Sequence, residues 1–217
     1  MKNILICGLG GGLDVLNCLP LCYKFKNDKN YSEIHLGSIR PAPQSSVKNA
    51  IAVYHEQATL LGIDSKVMYK GRYAEPFISS IIGRPIVLFS RMVDDKYSIS
   101  GLSEAIKLFR DEHSIDEIYF VDGGGDSMTL IPEDIIGASQ SKDVFDGGDA
   151  FALEALQDIP STLCVTVVGL DVDRKKFIKR LDELTLDDIY EVMNKKAHYF
   201  SCGMNCSDIT NLQKYSK

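Results

Sequence analysis

Short apolar runs alternate along the chain with longer stretches in which apolar residues recur every three or four positions. Asn3–Cys7 (NILIC) is apolar almost throughout and too short for a helix, which predicts a buried strand. From Leu13 onward, Val15, Leu16, Leu19, Leu21, Cys22 and Phe25 fall at helical spacing, with Pro20 placed to kink or break that helix. Glu33–Ile39 (EIHLGSI) predicts a second strand. After the loop RPAPQSS, the spacing from Val47 to Leu61 predicts a helix closed by Gly62. KVMYK and PIVLFS predict two more strands, separated by a short helical piece over Phe77–Ile82. Leu102, Ala105, Ile106 and Phe109 share one face of a helix over Gly101–His113. Glu117–Val121 predicts a strand, Gly148–Leu156 a helix and Thr162–Val168 a strand. Two helices follow, the last opening on a capping box from Thr185 to Asp188.

Strands that are apolar on both faces and alternate with helices belong to a parallel sheet covered on both sides. The expected architecture is therefore α/β: a three-layer sandwich with a mostly parallel sheet. No Pro-, Gly- or Ser-rich linker divides it, so residues 1–200 are expected to form a single domain and 201–217 a short, loose tail.

Composition narrows the function classes. A net charge of −6 carries no basic footprint for nucleic acid, and no stretch reaches the roughly 20 apolar residues of a membrane helix. Lys2 followed by NILICGLGGGL mimics a signal peptide, but glycines crowd the apolar run and no small-residue cleavage site follows. That points to a cytoplasmic protein. Cys7, Cys18, Cys22, Cys164, Cys202 and Cys206 are scattered through it in a way that suits reduced thiols and not a disulfide framework.

The chemistry gathers in loops that follow predicted strands, where open parallel sheets bind ligands. The first strand leads into Gly8, Gly10, Gly11, Gly12 and Asp14. The strand ending at Val121 leads into Asp122, Gly123, Gly124, Gly125, Asp126 and Ser127. A third loop carries Asp146, Gly147, Gly148 and Asp149, and Asp171 and Asp173 follow the last strand. Glycines let backbone N–H groups approach a ligand closely, and helix N-termini add positive partial charge. Carboxylates set among such amides can bind a hard cation, accept hydrogen bonds from hydroxyls or amines, or act as acid–base groups. Asp149 suits equally a helix cap.

A dinucleotide fingerprint would need its third glycine where Leu13 stands, and the second strand runs on to Ser38 and Arg40 in place of the acid expected for NAD. A serine and an arginine there suit a 2′-phosphate, which keeps NADP as an alternative cofactor. No P-loop and no nucleophile elbow is present. His198, Cys202 and Cys206 are spaced by four but lack a fourth metal ligand. Arg72 and Arg91 are the cations nearest the loops, Arg91 directly after PIVLFS, where it can pair with phosphate or carboxylate or form a surface salt bridge.

Through ILICGLGGGLDVLNCLPL, IYFVDGGGDSM and DVFDGGDAFALEAL, the chain resembles domain-of-unknown-function family 1152 as far as about Leu170. The resemblance implies a Rossmann-like fold and supplies no activity.

Two functions follow as expectations. The first is a metal-assisted enzyme, of lyase or hydrolase type, acting on a small phosphorylated or carboxylated metabolite with Mg²⁺ or Mn²⁺. In it Asp14 and Asp126 are the catalytic and metal-binding acids. Gly10, Gly11, Gly12, Gly123, Gly124, Gly125, Ser127, Ser38, Arg91 and Asp149 line the ligand. The second is a non-catalytic nucleotide or metabolite sensor in the same cleft. Neither involves nucleic acid or membrane, and both leave room for a homo-oligomer.

Overall fold

The computed structural model describes residues 1–10, 14–71, 73–124, 127 and 148–166. The expectations for Gly11, Gly12, Arg72, Gly125, Asp126, Asp146, Asp171, Asp173, His198, Cys202, Cys206 and the two final helices lie outside the described residues.

In chain order the elements are β1 (Lys2–Gly8), α1 (Asp14–Asn17), α2 (Leu19–Lys26), β2 (Tyr31–Arg40), β3 (Val47–Lys48), β4 (Ala52–His55), β5 (Ala58–Leu61) and β6 (Lys66–Val67). They continue with α3 (Glu75–Ile82), β7 (Ile86–Ser90), β8 (Met92–Val93), β9 (Lys96–Tyr97), α4 (Ile99–Glu112), β10 (Glu117–Asp122), α5 (Gly148–Ala155) and β11 (Thr162–Val165). The first predicted helix is in two pieces, with Cys18 between them and Pro20 in the first turn of the second, where a missing N–H costs nothing.

A seven-stranded mixed sheet runs β11-β10-β1-β2-β7-β5-β4. From β11 to β7 the strands are parallel; β5 and β4 are antiparallel additions. Numbered among themselves along the chain, the parallel strands lie in the order 3-2-1-4-5. The order reverses between β1 and β10, so a crevice opens at their carboxyl ends. Register sets the level of that crevice: Gly8 lies opposite both Ser38 and Val121.

Each strand deals alternate side chains to two cores. Leu5, Cys7, Ile39, Val87 and Phe89 pack with Leu102, Ile106 and Phe109 of α4 and Phe151 of α5. Ile4, Ile6, Leu36 and Ile86 pack with Val15 of α1, Leu21 and Phe25 of α2 and Ile78 of α3. This two-sided demand is why each strand carries an apolar run at its centre.

The helix expected over Val47–Leu61 is instead β3, β4 and β5. Val47, Ala50, Ile51, Tyr54, Ala58 and Leu61 do fall at helical spacing. However, Asn49 takes a positive φ of 55°, and Val53, Tyr54 and Thr59 favour strands. The hairpin turn is fixed from outside by the buried Gln57, whose Nε2 donates to the carbonyls of Ser90 (2.7 Å) and Ser98 (3.1 Å). Of KVMYK only Lys66–Val67 is a strand, and it pairs with β3 outside the main sheet.

Ser98 caps α4, its Oγ accepting from Gly101 N at 3.1 Å. Under that helix the rings of His35 and His113 lie 4.7 Å apart and both pack on Phe109. Their Nε2 atoms are buried, with no hydrogen-bond partner among the described residues. Burial lowers the His35 pKa, with Glu33 opposing and His113 assisting. Cys7, Cys18 and Cys22 are free thiols. Burial pushes Cys7 and Cys18 well up and Cys22 to about 12, which leaves them protonated and unreactive. No helix among the described residues is long and apolar enough to cross a membrane.

Candidate functional site

The carboxyl edge is assembled from three loop regions that converge on the end of β1. Gly8 admits the start of α1: a Cβ there would stand 2.7 Å from Val15 N and 3.0 Å from Asp14 C. That close approach brings Asp14, the first residue of α1, back over the loop it follows. Its Oδ2 accepts from Gly10 N at 3.0 Å and its Oδ1 from Gly123 N at 3.1 Å. The carboxylate thus ties the loop after β1 to the loop after β10, and it occupies amides that the sequence pattern suggested for a ligand. A Cβ on Gly123 would run into Asn17 Nδ2, so α1 also presses on the second loop.

The second loop is organised by Asp122, a buried residue that sequence reasoning places first in the loop without a role and that is the last residue of β10. Its Oδ2 accepts a short hydrogen bond from Ser127 Oγ and a second, at 3.3 Å, from Ser127 N. Its carbonyl takes Thr166 N at 2.7 Å and Thr166 Oγ1 at 3.1 Å, which joins β11 to the same loop. Ser127, expected to contact a ligand, faces Asp122 instead.

Asp149 is the second residue of α5, inside the helix and not its cap, and it is buried. Its carboxylate rests on the Cα of Gly10, where a Cβ would collide with Oδ1. Asp14 and Asp149 therefore flank one glycine. Arg91 completes this corner. A Cβ on Gly148 would lie 2.5 Å from Arg91 Nη1 and 2.8 Å from Gly10 O, so the guanidinium lies against the first residue of α5. Arg91 is 4% exposed, and its Nε and Nη1 are buried with no acceptor among the described residues. Burial lowers its pKa, while Tyr97 and Asp149 pull the other way. A guanidinium stays protonated regardless, so a full positive charge sits at the positive end of a helix.

On the other side of the β2 end, Ser38 and Arg40 both turn to an acid that the sequence did not single out. Glu75, the first residue of α3, has no exposed surface. Its Oε1 accepts from Ser38 Oγ at 2.6 Å and lies 3.6 Å from Arg40 Nε. Arg40 stacks over Tyr73, with Cζ 4.7 Å from the ring centroid. Burial foremost pushes the Tyr73 phenol up to about 12. Glu75 Oε2 is buried with no hydrogen-bond partner among the described residues. An acid at the start of a helix beside Pro76 reads in sequence as ordinary first-turn charge, and nothing local marks it further.

No three His, Cys, Asp or Glu side chains gather as a metal site among the described residues. A groove of about 520 Å³ between α4 and α5 is lined by Ser100, Ser103, Lys107, Glu154 and Asp158 among others, and it includes none of the loop residues above. No protein-family model, curated protein or solved structure matches the chain.

Proposed function

We propose that the protein binds a small phosphorylated or carboxylated metabolite at the carboxyl edge of a Rossmann-like sheet. In this proposal the fold is a three-layer sandwich, as the alternation of strands and helices suggests, with α1–α3 outside one face and α4 and α5 outside the other; the resemblance to family 1152 adds only the Rossmann-like reading. The observation that carries it is Arg91. A buried cation with two donors that find no acceptor among the described residues, set against a helix N-terminus, has a demand for negative charge. Asp149 meets part of that demand by its charge. An incoming carboxylate or phosphate meets the rest, with the fork geometry that arginine provides.

Turnover of lyase or hydrolase type would draw on the two acids beside Gly10. Asp149 and Asp14 are the residues that would hold Mg²⁺ or Mn²⁺ brought in with a phosphate, which needs only one or two protein carboxylates. The engagement of both Asp14 oxygens with loop amides favours the second reading, a sensor that binds without turnover. NADP fits less well, because Ser38 and Arg40 hold a carboxylate where a 2′-phosphate would lie.

The test is thermal unfolding of the full chain with inorganic phosphate, ethyl phosphate or propionate, each with and without Mg²⁺. At a hundredfold excess over Kd a bound anion stabilises by about 2.7 kcal/mol, roughly a 5–10 °C rise in Tm for a chain of this size. Arg91→Met is expected to abolish the rise and Arg91→Lys to weaken it. An unchanged rise in Arg91→Met would remove the anion site from this corner.

A further inference from the structure

The site has a second orphan group, of opposite charge to the first. Glu75 Oε2 is buried with no hydrogen-bond partner among the described residues, while Oε1 of the same carboxylate is held by Ser38 and faces Arg40. A buried acceptor without a donor is costly, and none of the described residues supplies one. Its place in the fold is that of a ligand group. Ser38 lies opposite Gly8 in the β1–β2 register, so Glu75 stands level with the start of the glycine loop. The Cys7 thiol, at the end of β1, feels both the Asp14 and the Glu75 charges. Tyr73 feels Glu75 and Arg91 together, and Arg91 N donates to Arg40 O at 2.8 Å. Glu75 and Arg91 therefore flank the ends of β2 and β7 from the two sides of the sheet.

We infer that Glu75 is the second pole of the site: its Oε2 accepts a hydrogen bond from a hydroxyl or ammonium group on the same small molecule whose anion meets Arg91. This rests on the anion reading of Arg91 and narrows it. The ligand is an anion that also carries a donor, as in a sugar phosphate or an amino acid, and a bare anion fills half of the site. Ser38 and Arg40 act as positioning residues that fix Oε1 and leave Oε2 turned to the ligand.

The experiment is isothermal titration of the full chain with two matched series. Propionate, lactate and alanine differ only in the donor at one carbon. Ethyl phosphate, 2-hydroxyethyl phosphate and O-phosphoethanolamine make the same comparison for phosphate. At least one donor-bearing member is expected to bind about tenfold or more tightly than its bare anion, the scale of a hydrogen bond to a charged group. The hydroxyl and ammonium arms identify which donor the site takes. In Glu75→Gln that advantage should fall below about threefold while affinity for the bare anion is kept. Arg91→Met should weaken every member. Should Glu75→Gln fail to fold, Ser38→Ala, which frees Oε1, is expected to erode the same advantage.

If the wild-type chain binds bare anions and gains nothing from any donor, a trapped water serves Oε2. The role of Glu75 then falls while the Arg91 site stands. If Glu75→Gln, or Ser38→Ala in its place, retains the full advantage, the inference falls in the same way. If the wild-type chain binds no member of either series, the Arg91 reading falls and takes this one with it.

Discussion

Replacing Asp14 by Asn separates a structural clamp from a catalytic acid. The carboxylate accepts one backbone N–H on each oxygen, from Gly10 at 3.0 Å and Gly123 at 3.1 Å. Asparagine keeps one acceptor and turns an NH₂ group toward the other amide, so one charge-assisted bond is lost and a donor is left facing a donor. Hydrogen bonds to charged groups contribute about 1.5–3 kcal/mol, and a part-buried site such as this belongs at the lower end. The expected loss is therefore about 2 kcal/mol, a fall in Tm of roughly 4–8 °C for a chain of this size. Urea unfolding would report it as a lower midpoint at unchanged slope. Hydrogen exchange would localise it, with Gly10 and Gly123 amides exchanging faster while the β1 and β2 amides stay protected. An acid kept for chemistry behaves oppositely, because its removal is neutral or stabilising. Stability within about 0.5 kcal/mol of wild type, with both amides protected as before, would refute the clamp and return Asp14 to the catalytic list.

Other expectations follow from the same corner and from the opposite one. Gly8→Ala drives a methyl onto the Val15 and Asp14 backbone, whereas Gly10→Ala meets only the tip of Asp149, so Gly8→Ala should unfold at the lower urea concentration. Asp149→Ala should rescue Gly10→Ala and leave Gly8→Ala unrescued, and a double-mutant cycle that shows no such difference would contradict the contact. Arg91→Met removes two buried donors that have no acceptor among the described residues, so without ligand it should be more stable than wild type by about 1–3 kcal/mol, read by urea midpoint; a loss of stability would count against the orphaned guanidinium. His35 has a lowered pKa in the fold, so the unfolded chain binds the extra proton first. Stability should then be full above about pH 6.5 and fall as pH drops through the lowered folded value, and His35→Phe, which keeps the packing on Phe109, should flatten that slope in a urea titration from pH 7.5 to 5.

What could be seen in the sequence was whatever repeats locally. β1, β2, β7, β10 and β11 were legible because each carries a short apolar run that feeds the cores on both faces. The β4–β5 hairpin was not, since its apolar residues also fit a helix. What decides against the helix is Gln57, whose side chain reaches Ser90 and Ser98, 33 and 41 residues away. Glu75 was hidden for the same reason: its partner Ser38 is 37 residues distant, and its isolation is a property of the packed interior. The glycine loops were visible, but their role was not. A loop shaped to cradle an anion ends in Asp14 because Asp14 is that anion, supplied by the chain and bonded to amides of two loops. With those amides taken, the proposed anion site lies across Gly10 at Arg91, beside the start of α5, where two donors have no acceptor among the described residues. Gly8, Gly10 and Gly123 therefore build the corner, with the Gly10 and Gly123 amides engaged by Asp14. That division makes a sharp expectation: mutations at Gly8, Asp14 and Gly123 should act first on folding, and mutations at Arg91 and Glu75 first on binding.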